Sequence, residues 1–210
     1  MKSLVLAGGE LKVTKELTAL AKTAELVVAA DSGLKHAKAL KVKPTVIIGD
    51  FDSIASKTLA DYPEIERITY PRKKDYLDFE LALQYVQTQG SKDILVFGAT
   101  GGRLDQSLAA IMIAAKTANK SNISLHSGKQ DLYFMAGSSL LGLELKPGTT
   151  FSIISFSKAS KLSLKGAEYE LEKAELSFAI GKGVSNVSVS PTLTIKLFSG
   201  LIVIIVEKEL

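Results

Sequence analysis

Residues 94–107 read Ile-Leu-Val-Phe-Gly-Ala-Thr-Gly-Gly-Arg-Leu-Asp-Gln-Ser. Four apolar residues make a short buried-strand run, the glycines make a turn, and apolar residues recur at helical spacing beyond it, at Leu108, Ile111, Met112 and Ala115. Strand, glycine turn and helix form one half of a parallel crossover unit. The same alternation runs upstream. Leu4–Ala7, Leu26–Ala30, Val46–Ile48 and Ile65–Thr69 read as strands, and the sets Leu17/Leu20/Ala21/Ala24 and Phe79/Ala82/Leu83/Val86 read as helix faces. Strands alternating with helices predict a mostly parallel sheet covered on both sides. After about residue 122 the texture changes to β-branched or alternating runs, at Thr150–Phe156, Lys161–Leu164, Leu193–Phe198 and Leu201–Val206, separated by turn signals such as Lys-Pro-Gly-Thr and Phe-Ser-Gly. The expectation is an α/β plus all-β chain. An N-terminal mostly parallel α/β sheet domain over residues 1–122 precedes a C-terminal antiparallel β-sandwich over residues 123–210.

Composition narrows the chemistry. Of 210 residues, 46% are hydrophobic and 23% charged, enough for a substantial core in one large domain or two small ones. Cysteine is absent, which excludes disulfides, a cysteine nucleophile and thiolate metal sites. The formal charge of +4 suits anionic substrates but is too small, without a basic block interleaved with aromatics, to argue for nucleic acid. No apolar run approaches the ~20 residues that a membrane span needs, so the reading is a cytoplasmic protein with neither membrane nor nucleic-acid partners.

Ligands of an open parallel sheet bind outside the carboxyl ends of its strands. Asp31 follows the second predicted strand, Asp50 and Asp52 the third, Asp75 and Asp78 the fourth, and Gly98–Asp105 the fifth. Carboxylates gathered on one edge repel unless a cation neutralises them, and carboxylate oxygens are hard donors suited to Mg²⁺ and its bound phosphates. In an extended segment, the spacing of Asp50 and Asp52 directs both side chains to one side. Taken singly, each Asp has a plain reading as a turn or helix-capping residue. The turn at Gly101 and Gly102 lets backbone approach a phosphate, and Arg103 adds a permanently charged fork. A dinucleotide reading of Gly-Ala-Thr-Gly is disfavoured, because Leu104 occupies the third glycine position and the motif follows the fifth strand. Lys73 and Lys74 read either as phosphate contacts or as solvated loop charges, and His36 reads as a surface or packing residue of a helix. The sequence contains neither a P-loop nor a Gly-x-Ser-x-Gly elbow.

Four elements in this order resemble the thiamine pyrophosphokinase family: Ala30-Asp31-Ser32-Gly33, Gly49-Asp50-Phe51-Asp52-Ser53, the segment from Lys74 to Leu83, and Gly101-Gly102-Arg103-Leu104-Asp105. Gly183-Val184-Ser185-Asn186 is similar to a glycine–Ser-Asn element of the family's thiamine-binding β-domain. Three positions depart from the family pattern. Gln106 stands where a His is usual, Leu77 replaces a Thr, and Gly166–Leu171 follows the family's sequence only loosely. The chain also lacks tryptophan.

The resemblance implies a Mg²⁺-dependent transfer of the diphosphate of ATP to the hydroxyl of thiamine, giving thiamine diphosphate and AMP. It also implies a homodimer with the active site between subunits. On that reading Asp50, Asp52, Asp75 and Asp78 hold the metal and carry the catalysis. Asp31, Ser53, Lys74, Gly101, Gly102, Arg103 and Asp105 bind ATP, and Ser185 and Asn186 line the thiamine pocket. Either Asp78 or Asp52 takes the hydroxyl proton. Because the departures fall where the acceptor is recognised, a diphosphokinase for another small alcohol, such as 6-hydroxymethyl-pterin, is the alternative.

Overall fold

The computed structural model describes residues 1–54, 56–73 and 75–208. It divides into two compact units: Met1–Ile113 with Lys120–Gly128, and Ala114–Asn119 with Lys129–Leu210. In chain order the first half carries β1 (Lys2–Leu6), α1 (Lys15–Ala21), β2 (Leu26–Ala30), α2 (Lys35–Leu40), β3 (Val46–Gly49), α3 (Ser56–Ala60), β4 (Glu66–Thr69), α4 (Asp78–Thr88), β5 (Asp93–Phe97), α5 (Leu104–Thr117) and β6 (Asn122–His126).

Every pairing within this first sheet is parallel, in the order β6-β5-β1-β2-β3-β4. Strands buried on both faces need apolar residues at successive positions rather than alternate ones. All five residues of β2 and all four of β3 are buried accordingly. At about 1.5–3 kcal/mol for each large apolar side chain removed from water, residues such as Leu4, Leu6, Ile47, Ile48 and Phe97 anchor this unit. The strand β6, which a division after residue 122 would place in the second half, pairs in parallel with β5 from Asp93↔Asn122 to Phe97↔His126.

Two helices show how far spacing carries. On α4 the expected face is the observed one, with Phe79, Ala82, Leu83 and Val86 all buried. On α5 it is not. Ala110, Ala114, Ala115 and Thr117 are buried, whereas Leu108 and Met112 are exposed together with Leu104. Apolar residues satisfy the helical period on two faces of α5, and the alanine face is the one that packs inward, small side chains allowing a close approach.

The second unit is all β: β7 (Gln130–Ala136), β8 (Ser139–Glu144), β9 (Thr150–Ser155), β10 (Ala159–Lys165), β11 (Leu171–Ser177), β12 (Asn186–Val187), β13 (Thr192–Ser199) and β14 (Leu201–Glu207). One antiparallel sheet runs β12-β9-β14-β7 and the other β11-β10-β13-β8. Alternate residues of both sheets meet in one core, among them Phe151, Ile153, Ile202 and Ile204 from the first and Leu162, Leu164, Leu193 and Ile195 from the second. This is the expected sandwich. The Phe-Ser-Gly turn passes the chain between its sheets through Gly200 at φ 100°, where a Cβ would lie 2.3 Å from Ser160 Oγ.

Candidate active site

Sheet order locates the site before any side chain does. From β1 the chain adds β2, β3 and β4 on one side and then returns to add β5 and β6 on the other. Loops leaving β1 and β5 therefore depart in opposite directions and open a crevice at their carboxyl ends, the usual ligand position in doubly wound sheets. Ala7–Glu10 and Gly98–Gly102 flank that crevice.

Asp31 follows β2 directly and adopts a left-handed backbone (φ 45°), a conformation that Asp tolerates better than most residues. One of its carboxylate oxygens, Oδ2, accepts a hydrogen bond from Ser53 Oγ. The other, Oδ1, is buried with no hydrogen-bond partner among the described residues. The structure thus joins two elements that lie 22 residues apart in sequence. Gly49 permits this approach, since a Cβ there would sit 3.0 Å from that of Asp31.

Gly49–Ser53 is not extended, contrary to the spacing argument. Phe51 takes φ 65°, and the Asp52 N–H donates to Asp50 Oδ1 at 3.2 Å. Phe51 packs against the core, which favours the turn over an extended path. Asp52 pairs with Arg72 (Oδ2 to Nε, 3.4 Å), an exposed cation that the sequence reading passed over. Asp75 is exposed in the loop before α4, and Asp78 is half-buried in that helix's first turn. Leu77 is the N-cap of α4 and supplies no side-chain cap. Lys74 lies outside the described residues. Among the described residues, no three carboxylate or histidine side chains are gathered into a ready-made metal cage.

Beyond β5, Gly101 and Gly102 take φ of 91° and 70°. Arg103 donates through Nε and Nη2 to the two oxygens of Asp105, at 3.1 and 2.5 Å. That hydrogen-bonded guanidinium holds the Asp105 carboxyl below the usual carboxylate range. Both groups are exposed, so the fork is preformed but open to exchange with a phosphate. Gln106, also exposed, follows in the first turn of α5.

His36 is buried rather than on the surface, with Nε2 3.1 Å from the Gly9 carbonyl oxygen. Burial pushes its pKa below the ordinary 6.5 and the Lys35 charge adds to that, while the Gly9 hydrogen bond opposes both. In the β unit, Ser185 is exposed at φ 60°, its N–H donating to Ser152 Oγ. Asn186 is buried and fully engaged. Its Oδ1 accepts from the N–H groups of Tyr169 and Val187, and its Nδ2 donates to the Tyr169 carbonyl.

Two family models match: "Thiamin pyrophosphokinase, catalytic domain" over residues 17–126 and "Thiamin pyrophosphokinase, vitamin B1 binding domain" over residues 141–202. The chain belongs to the thiamin pyrophosphokinase family. Family membership makes it an enzyme, a transferase of thiamine diphosphate formation. A curated thiamine pyrophosphokinase of Bacillus subtilis (strain 168) is 27% identical over 98% of each chain. The solved thiamine pyrophosphokinase structure from B. subtilis superposes with a TM-score of 0.85 at 24% identity over all of both chains. The Candida albicans thiamin pyrophosphokinase gives 0.79 at 17% identity, over 99% of this chain and 90% of that one. At such identities the superpositions speak for the fold alone. The catalytic-domain match contains Asp31 through Asp105, and the vitamin-binding match contains Ser185 and Asn186. In this family member, the sequence reading missed the Gly8-Gly9 turn, Lys35, the burial of His36 and the Arg72 pair. A strand ending in two glycines was the available signal for the turn. Nothing local announces the other three.

Proposed function

We propose that this chain transfers the diphosphate of ATP to the hydroxyl of thiamine, releasing AMP, as a cytoplasmic, Mg²⁺-dependent homodimer. The observation that carries the reading is the Asp31–Ser53 junction at the strand ends, with Asp31 Oδ1 buried and unpartnered among the described residues. A buried carboxylate oxygen without a donor is costly unless a cation or a ligand hydrogen completes it. The acidic residues that follow β2, β3 and β4 in the chain, Asp31, Asp50, Asp52, Asp75 and Asp78, offer only oxygen donors. They fit an ion that takes one or two carboxylates and fills its shell with phosphate and water oxygens.

Asp50, Asp52, Asp75 and Asp78 would hold Mg²⁺, which supplies neutralisation of the charge developing on the phosphates. Arg103 exchanges Asp105 for phosphate oxygens, and the turn at Gly101 and Gly102 admits them to the backbone. Lys74 adds a further cation, and Asp31 and Ser53 position the nucleotide. Asp78 or Asp52 takes the proton as the thiamine oxygen bonds to the β-phosphorus and the bond from that phosphorus to the AMP oxygen breaks. Phosphoryl chemistry of this kind depends mainly on positioning and charge stabilisation. The α/β unit binds ATP and the β unit binds thiamine, with Ser185 meeting the acceptor and Asn186 shaping the pocket backbone. The exposed apolar stripe of Leu104, Leu108 and Met112 supports a subunit contact.

A product assay tests the reading. Protein, ATP, Mg²⁺ and thiamine should give thiamine diphosphate and AMP in equal amounts by mass spectrometry, without ADP. Folded, ATP-binding protein that makes no thiamine diphosphate refutes the acceptor. Near-normal turnover by Asp52→Asn refutes the metal assignment. Leu108→Glu should shift the protein to monomer on a sizing column if α5 forms the subunit contact.

A further inference from the structure

The turn after β1 is made of two residues without side chains, so whatever fixes its shape must come from elsewhere. Glycine is required there by close approach. A Cβ on Gly8 would lie 2.2 Å from Ser32 Oγ, and one on Gly9 would lie 2.6 Å from the Gly98 carbonyl oxygen. On the amide side, Gly9 N–H donates to the Gly98 carbonyl (2.7 Å) and Glu10 N–H to that of Thr100 (3.1 Å). These bonds stitch the β1 turn to the β5 turn across the switch-point crevice. On the carbonyl side, two consecutive residues of α2 take two consecutive carbonyls. Lys35 Nζ donates to Gly8 O at 2.6 Å, and His36 Nε2 sits 3.1 Å from Gly9 O. A carbonyl only accepts, so His36 carries its hydrogen on Nε2. The same nitrogen would be 3.0 Å from a Cβ on Gly98, which places the ring beneath both glycine turns.

We infer that Lys35 and His36 are positioning residues, a clamp that holds the Gly8 and Gly9 carbonyls away from the crevice so that it accepts the polyphosphate of a nucleotide. A free carbonyl turned into the crevice would set its negative end against phosphate oxygens. This inference rests on the proposed nucleotide site and adds two residues to its support. A packing role for His36 needs only volume, whereas the clamp needs a donor at the Nε2 position. Gln places an N–H donor near that position, and Leu supplies volume alone. Lys35 is exposed, so Lys35→Met tests the clamp without a core substitution.

The experiment measures ATP affinity by titration calorimetry, steady-state KM and kcat, and hydrogen exchange over residues 7–12, for the parent and for His36→Gln, His36→Leu and Lys35→Met. Expected is an ATP Kd and KM raised about tenfold in His36→Leu and Lys35→Met, as for a lost charge-assisted or buried hydrogen bond. Thiamine KM should stay within about threefold, exchange at Gly9 and Glu10 should accelerate, and His36→Gln should restore parent values. Equal impairment of His36→Gln and His36→Leu with unchanged Lys35→Met would overturn the clamp and leave a packing residue. Slow exchange in all variants would overturn it too, even if the parent bound no ATP. That last result would by itself refute the nucleotide reading instead.

Discussion

Asp31 in the α/β unit and Asn186 in the β unit are both polar and poorly accessible, both follow a signature glycine element or strand end, and they use their hydrogen-bonding capacity in opposite ways. Every polar atom of the Asn186 amide is committed to backbone, so it ties the Tyr169 segment to β12. Asp31 commits one oxygen to Ser53, and the other is buried without a partner among the described residues. A satisfied buried amide is explained by the fold itself. An unsatisfied buried carboxylate oxygen is a cost that the fold does not recover, and such costs concentrate where ligands bind. On this contrast chemistry is proposed for Asp31 and a backbone-shaping role for Asn186.

The sharpest way to break this contrast is Asp31→Asn. Turnover should fall by about two to three orders of magnitude, as for loss of one preorganised electrostatic group, while thermal unfolding stays near the parent value. Retained turnover would move the site away from β2. Arg103→Ala should raise the ATP KM about tenfold, the scale of one charged hydrogen bond, without changing stability, because its partner Asp105 is equally exposed. An unchanged KM would return Arg103 to a solvated surface pair. For Asn186→Ala the effect moves to stability. Stranding the Tyr169 N–H and carbonyl should cost about 1–3 kcal/mol, seen as a lower melting temperature with kcat largely preserved. A large rise in thiamine KM at unchanged melting temperature would instead place the Asn186 amide against the acceptor. The smallest expected change is a gain. Leu77→Thr gives α4 the side-chain cap it lacks and should stabilise the protein by about 1 kcal/mol, measured by denaturant titration. No gain would mean that the first N–H groups of α4 are already satisfied.

The strands of the α/β half were legible because burial on both faces requires unbroken apolar runs, and such runs survive in Leu26–Ala30 and Val46–Ile48 without any knowledge of neighbours. The candidate acidic residues were legible for a related reason: strand ends can be counted. Orientation was not. The period of α5 is met by two faces, and only the folded surroundings select Ala110 and Ala114 over Leu108 and Met112 for burial. Nor can spacing foresee that Phe51 packs against the core from a left-handed turn, or that the strand Asn122–His126 completes the parallel sheet. The surroundings of His36 depend on glycine turns 27 residues before it and 62 after it in sequence, so its burial is a tertiary fact.

The central place of β1 also governs how the chain is made. Its residues pair with Leu26–Ala29 on one side and with Asp93–Phe97 on the other. β1 leaves the ribosome before either partner, yet its second edge stays open until about ninety residues more have been synthesised. Parallel pairing over such a separation is slow to form, and an open apolar edge is a site of mispairing in the interval. The crevice proposed for the nucleotide is closed on one side by the later of these pairings, so the nascent chain acquires its fold-specific vulnerability and its proposed binding edge from the same delayed event.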